Sequence, residues 1–321
     1  MRYVLRADAS QSIGSGHVMR SSAIAEELIA RGEEVIFIGK IFEVSWLAFR
    51  INTLGFSQIH PEGAGFISNP REDILILDSY VIPTNDVFIQ PGKWKAVIII
   101  ADDLTPLYSA DLVIHPGLST TLEGYAGAKV LAGPNYIPIR SSIEKNRKNK
   151  SANRILEILI VGGGSNTFNF VDSVSNELLV IPDTFHATIF TDNEDLRDLD
   201  PRLTVIPTGS ALDQYAKNAD LVFTTASTTS LEFIAREVAV GIGCAINNQK
   251  KTYESLSALE VAAPIGSFML GNWLINRDVI RDLVISPDLR DSLVRNCRGL
   301  IDLEGVKRIV NEIFALDRLG E

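Results

Sequence analysis

The residues best suited to chemistry stand within the first two dozen positions, in the stretch Ile13-Gly14-Ser15-Gly16-His17-Val18-Met19-Arg20. Glycines let backbone come close to a ligand, and a helix N-terminus favours anionic groups. His17 sits where the loop should become a helix, and an imidazole titrates near neutral pH. Gly14, Gly16 and His17 together suit work on a phosphorylated or nucleotide-linked substrate. The full dinucleotide fingerprint G-x-G-x-x-G is absent, since position 19 is Met. The same residues also admit a plainer reading, a tight turn in which His17 caps a helix or bonds backbone. Arg20, one turn on, either faces an anion or lies on the surface.

Other candidates follow apolar runs. Gly162-Gly163-Gly164-Ser165-Asn166 permits close approach of a phosphate or sugar, or makes a tight turn. In Thr224-Thr225-Ala226-Ser227-Thr228-Thr229-Ser230-Leu231-Glu232, hydroxyls at a helix start offer caps and anion donors. Glu232 on that helix either accepts ribose hydroxyls or offsets the helix dipole. The amides of Asn247-Asn248-Gln249 either orient a sugar or water or belong to an ordinary loop. Asp78-Ser79-Tyr80 and Asp102-Asp103 also end apolar runs. Paired acids can bind a metal, but no third ligand stands at a telling spacing, so capping or hydrogen bonding is expected of Asp102 and Asp103. His60, His115 and His186 have no partner pattern and read as structural or exposed.

The elements that must position these groups are legible as alternating apolar runs and helical patterns. Tyr3–Leu5, Val35–Ile38, Ile74–Leu77, Ala96–Ile100 and Leu112–Ile114 read as strands, with a helix after Gly16 carrying Val18, Ala25, Leu28 and Ile29 on one face. Such runs stopping at polar residues suit buried parallel strands whose C-terminal ends line a site. A polar, basic stretch between Arg140 and Arg154 reads as a linker. The pattern then restarts, with strands at Ile155–Val161, Ala187–Phe190, Leu203–Ile206, Leu221–Thr224 and Val238–Ile246. A short helix is expected at Leu212–Lys217, another from about Ser227, and mostly helix from Asp278 to Leu316. The expected architecture is α/β, with two Rossmann-like domains facing each other across a cleft, 1–145 and 146–321.

The 321 residues suffice for two domains, and a hydrophobic fraction of 46% is that of a globular protein. A net charge of −10 argues against a general nucleic-acid binder, though not against a local nucleotide pocket. Cys244 and Cys297 have neither metal nor disulfide spacing and read as reduced, buried thiols. No run approaches the roughly 18 apolar residues of a membrane span. Arg6 and Asp8 interrupt the N-terminal run too early for a signal peptide, so a cytoplasmic location is expected.

Taken in order, these motifs resemble a known family. Arg6-x-Asp8 followed by Ile13–Arg20 resembles the start of the nucleotide-sugar hydrolases of pseudaminic acid biosynthesis and of related spore-coat polysaccharide proteins. The resemblance continues through Asp78-Ser79-Tyr80, Asp102-Asp103-Leu104, Ala110–Val113, Gly133–Tyr136, Gly162–Ser165, Ala226–Glu232 and Asn248-Gln249, to about residue 260. It implies a GT-B-like fold, with the acceptor side in the N-terminal domain and the nucleotide mostly in the C-terminal one. It further implies inverting hydrolysis of a UDP-linked diacetamido-trideoxy sugar, UDP-2,4-diacetamido-2,4,6-trideoxy-β-L-altropyranose, to UDP and free sugar, with no cofactor or metal. By that resemblance His17 activates water, Tyr80 and Asn248 hold sugar and water, and Ser227, Thr228 and their backbone receive the diphosphate. Glu232 binds ribose, while Gly14, Gly16, Arg20, Gly163, Gly164 and Gln249 line the substrate. The chain departs from the family at Ile139–Ile143 and at Val240-Gly241-Ile242-Gly243. A GT-B glycosyltransferase and a non-catalytic nucleotide-sugar binder are the alternatives.

Overall fold

Apolar runs bounded by polar residues become strands buried on both faces. In the computed structural model, residues 1–10, 13–55, 57–59, 68–90, 92–146, 154–164 and 166–318 are described. His60, Ser165 and residues 147–153 of the expected linker lie outside them. The first sheet comprises β1 (Arg2–Ala7), β2 (Glu34–Ile38), β3 (Ser57–Ile59), β4 (Asp73–Asp78), β5 (Ala96–Ile100), β6 (Leu112–Ile114) and β7 (Lys129–Leu131). Its order is β3-β2-β1-β4-β5-β6-β7, parallel throughout.

Alternate side chains serve two cores, which is why runs such as Ile74–Leu77 are apolar at every position. Tyr3, Leu5, Ile76, Ile98 and Ile114 face helix α1 (Gly16–Ala30) through Val18, Ile24, Ala25 and Leu28. Val4, Leu75, Leu77, Ile99 and Val113 face the opposite side, covered by Ile82, Ile89, Trp94, Tyr108 and Tyr125. Helix α2 (Ser45–Thr53) adds Leu47 and Ile51 to the first core.

The second sheet comprises β8 (Leu156–Val161), β9 (Phe185–Phe190), β10 (Leu203–Ile206), β11 (Leu221–Thr225), β12 (Ala239–Cys244), β13 (Ala263–Met269) and β14 (Asn272–Ile275). Its order, β10-β9-β8-β11-β12-β13-β14, repeats the plan of the first, save that β14 runs antiparallel. Helices α3 (Phe170–Leu179), α4 (Leu212–Ala216), α5 (Thr228–Ala235), α6 (Lys250–Ala258), α7 (Arg277–Ile285) and α8 (Pro287–Cys297) complete this unit. The glycines of Val240–Gly243 have a packing reason. A Cβ on Gly241 would stand 2.6 Å from the Phe223 ring, and one on Gly243 2.6 Å from the Phe170 ring. These glycines are where the aromatic core meets β12.

The chain divides into Met1–Ser141 with the segment from Asp302 on, and Ser142–Ile301. The sequence boundary had given everything after 145 to the second half. The final helix α9 (Gly305–Arg318) instead inserts Val306, Ile309, Val310 and Ile313 into the core of the first unit. Arg31 at the end of α1 anchors it by a 2.6 Å bond from Nη1 to Asn311 Oδ1. Among the described residues no helix is long and apolar enough to cross a membrane.

Candidate functional site

In both sheets the strand order reverses between two neighbours, β1 and β4 in the first and β8 and β11 in the second. Loops leaving C-terminal strand ends at such a switch point diverge and leave room for a ligand. Both glycine-rich loops of the sequence fall there.

In the first unit, Asp8 ties the end of β1 to the end of β2, accepting from Arg6 Nη1 at 2.6 Å and from Lys40 N at 2.8 Å. The chain then folds back, with Gly14 N donating to Ser10 O at 2.7 Å and Gly14 at φ +82°. A side chain would be strained in that left-handed conformation, so the glycine is needed for the turn itself. Ser15 precedes the helix without a side-chain cap bond, and Gly16 opens it.

Positions i, i+3 and i+4 of a helix share a face. His17, Arg20 and Ser21 therefore all point at the strand beside β1, where Ala7 pairs with Asp78. Nδ1 of His17 lies 2.5 Å from Asp78 Oδ1. Arg20 donates from Nε to Asp78 Oδ2 at 2.5 Å and from Nη2 to Oδ1 at 2.7 Å. All three are buried, at 5%, 8% and 0% exposure for His17, Arg20 and Asp78. Burial opposes the Asp78 charge, yet the Arg20 guanidinium, then His17, and their hydrogen bonds bring its carboxyl down to about 2. Burial likewise opposes the Arg20 charge, and Asp78 more than offsets it. Arg20, a substrate-lining candidate from the sequence, bonds the buried Asp78 carboxylate through Nε and Nη2.

Tyr80 stands edge-on to the imidazole, with ring centroids 4.4 Å apart at 85°. Its hydroxyl donates to Asp102, whose other oxygen accepts from Leu104 N at 3.0 Å. Burial first, with Arg20 opposing and Asp102 reinforcing, holds the Tyr80 phenol well above its ordinary range, so it acts as a neutral donor. Asp102 thus has the hydrogen-bonding role expected of it. Among the described residues no group of three or more His, Cys, Asp or Glu could hold a metal ion. His115 Nδ1 meets Ala101 O at 3.0 Å, and His186 bridges Glu157 and Thr204 at 2.9 Å each, both in keeping with structural roles. Cys244 is half-buried and Cys297 buried, and both are free; burial pushes the Cys297 thiol up to about 12.

In the second unit, Gly163 follows β8 at φ +89°, and a Cβ there would touch Ser227 Oγ and Thr225 Oγ1, each at 3.5 Å. The glycine loop and the hydroxyl-rich loop are thus brought together by the adjacency of β8 and β11. Ser227 occupies the N-cap of α5, but its hydroxyl makes no cap bond, and Thr228 opens the helix. Glu232 is buried further along α5. Beyond β12, Gln249 Oε1 accepts from Ala245 N at 2.9 Å and so pins the loop. Asn248 Oδ1 is buried with no hydrogen-bond partner among the described residues. A buried acceptor without a donor is costly in a finished core and ordinary in a ligand site.

No family model matches the chain, nor does the sequence of any curated protein. Solved structures do match. Acinetobacter baumannii MurG aligns at a TM-score of 0.64 and 15% identity, over 98% of this chain and 100% of that one. The glycotransferase of kitacinnamycin aligns at 0.67 and 16%, over 98% of both chains. Arabidopsis thaliana UGT89C1, solved in complex with UDP-L-rhamnose, aligns at 0.64 and 11%, over 93% of both. The chain has the GT-B fold. In GT-B terms, the His17 loop belongs to the N-terminal Rossmann-like unit and the Ser227–Glu232 helix to the C-terminal one. Sequence reasoning found both loops of this GT-B chain but gave Asp78 no role beside His17. The signal was present, since Asp78 ends an apolar run as Tyr80 follows.

Proposed function

We propose that the chain catalyses an inverting displacement at the anomeric carbon of a nucleotide-diphosphate sugar, with His17 removing the proton of the oxygen nucleophile. One observation carries this, the 2.5 Å contact between His17 Nδ1 and the ionised, buried Asp78. A carboxylate can only accept, so Nδ1 bears a proton and Nε2 is the nitrogen placed to take one as general base. A single displacement of the nucleoside diphosphate then inverts the anomeric centre. Within the first unit, Gly14 and Gly16 allow close backbone approach, and the Tyr80 oxygen, its proton given to Asp102, accepts from sugar or nucleophile. Within the second, Gly163, Gly164, Ser227, Thr228 and the first N–H groups of α5 receive the diphosphate. Glu232 accepts the ribose hydroxyls, and Asn248 with Gln249 orients the sugar.

Transfer to an acceptor hydroxyl is the reading supported by the structural neighbours, one a glycotransferase and one complexed with UDP-L-rhamnose. Hydrolysis is the second reading. The Arg6–Arg20 stretch favours it, through its resemblance to hydrolases acting on UDP-linked diacetamido-trideoxy sugars. Incubation with a panel of UDP-sugars, alone and with hydroxyl acceptors, separates the two. UDP release only in the presence of acceptor supports transfer. Release at full rate without acceptor supports hydrolysis, and NMR of the first-formed anomer reports inversion. Tight UDP-sugar binding without UDP release under any condition would overturn the catalytic reading.

A further inference from the structure

The buried charges around His17 do not balance as a simple carboxylate–imidazole pair. Asp78 Oδ1 receives both His17 Nδ1 at 2.5 Å and Arg20 Nη2 at 2.7 Å, while Oδ2 receives Arg20 Nε at 2.5 Å and Ser21 Oγ at 3.4 Å. Arg20 Nη2 also lies 3.2 Å from His17 Nδ1. Since Nδ1 donates to the carboxylate, it cannot also accept from Arg20. The guanidinium therefore sits beside the ring as a positive charge and not as its hydrogen-bond donor. Among the described residues, the other titratable groups near this cluster include Tyr80, edge-on to the ring, Asp102 behind the Tyr80 hydroxyl, and Tyr108, which feels the Asp78 charge.

We propose that Arg20 is a positioning residue for the His17 base: it fixes the Asp78 carboxylate by a two-pronged bond and cancels its charge, so that Asp78 orients His17 without holding a proton on it. A bare buried carboxylate against an imidazole binds a proton avidly as a pair, wherever the proton rests. A neutral Arg20–Asp78 unit keeps the oriented Nδ1–H tautomer and draws a second proton to Nε2 less strongly than a bare carboxylate would. The role rests on the reading of His17 as base, and Arg20 need not touch substrate.

The test is the pH dependence of turnover in Arg20→Gln and Arg20→Lys, with UDP-sugar as substrate and UDP release as readout. In Arg20→Gln the acidic limb of kcat/KM moves up by about one to three pH units, because a neighbouring positive charge is lost. Its kcat at neutral pH falls by about tenfold or more while KM stays within about threefold. Arg20→Lys keeps the charge but not the fork, so its limb stays near that of the parent while kcat falls in part. Nitrogen-15 NMR of the His17 ring gives a second readout without substrate. The neutral ring carries its proton on Nδ1 in the parent, and a larger protonated fraction or mixed tautomers appear in Arg20→Gln at the same pH. An unshifted limb and unchanged ring nitrogens in a folded Arg20→Gln overturn this role. Full turnover in His17→Ala overturns the base reading itself, and the two failures are separate.

Discussion

Nδ1 of His17 and Oδ1 of Asp78 lie 2.5 Å apart, although 61 positions separate them in the chain. The contact exists because β1 and β4 are parallel neighbours, and the helix that follows β1 lays its first turn over the end of β4. Replacing His17 by Ala leaves that scaffold in place and removes only the base. Turnover should fall by about 10²–10⁴, the usual worth of a positioned general base. UDP affinity, measured by calorimetry, should stay within about threefold, since the proposed nucleotide contacts lie on the other unit.

Asp78 should make stability depend on acid. Its carboxyl lies at about 2 in the folded chain against an ordinary 3.8. The unfolded chain therefore binds this proton more tightly than the folded one. The contribution, about 2 kcal/mol, is fully present above about pH 4 and is lost as pH falls towards 2. Asp78→Asn should cost about 3–5 kcal/mol at pH 6, because it leaves the Arg20 charge buried and unpaired. Urea unfolding of parent and variant at pH 6 and near pH 3 tests the sign. The gap between them narrows in acid, and a gap of constant size would refute the linkage.

Gly163 joins the two loops proposed to receive the diphosphate. At φ +89° an alanine there is strained by about 1–2 kcal/mol, and its methyl would rest against Ser227 Oγ and Thr225 Oγ1. Gly163→Ala should lower thermal stability slightly and weaken UDP binding by about tenfold or more, as the close approach is lost. Unaltered UDP affinity would remove this loop from the site.

Asn248 and Gln249 are neighbours with opposite expectations. Gln249→Ala removes a bond to Ala245 N and should cost about 1 kcal/mol of stability. Asn248→Ala removes an amide whose oxygen has no partner among the described residues, so stability should change by less than about 0.5 kcal/mol. Its effect should appear in turnover or in KM for the sugar nucleotide. Chemical denaturation beside steady-state kinetics distinguishes them, and an Asn248 variant that is unstable but fully active would reverse the assignment.

Much of the scaffold was readable locally. Ala96–Ile100, Leu112–Ile114 and Leu203–Ile206 are strands at their expected bounds, because short runs of β-branched and apolar residues mark strands, the first two nearly wholly buried and the third at a sheet edge. The helix after Gly16 and the one after Ser227 follow from the residues at their starts. Helix α3 was not foreseen; it begins after Phe168 and Asn169, both left-handed at φ 56° and 55°, with no glycine or proline to mark the entry. The β13–β14 hairpin was missed too: its two-residue tip is Leu270-Gly271, both at positive φ, and Leu270 is apolar where turns are usually polar although it is 99% exposed.

By itself the sequence determined what adjacent residues can determine: where most strands and several helices lie, that glycines and hydroxyls follow strands, and that a histidine stands in the first turn of the first long helix. Periodicity and turn chemistry act over a few residues, so they survive without the rest of the molecule. The tertiary structure alone decided that α9 returns to the first unit, that Gly163 meets Ser227, and that Arg20 and His17 share Asp78. Each of those contacts joins residues far apart in the chain, and each depends on which strands are neighbours and in what register. Sheet order is set by packing the whole core, which no local pattern encodes.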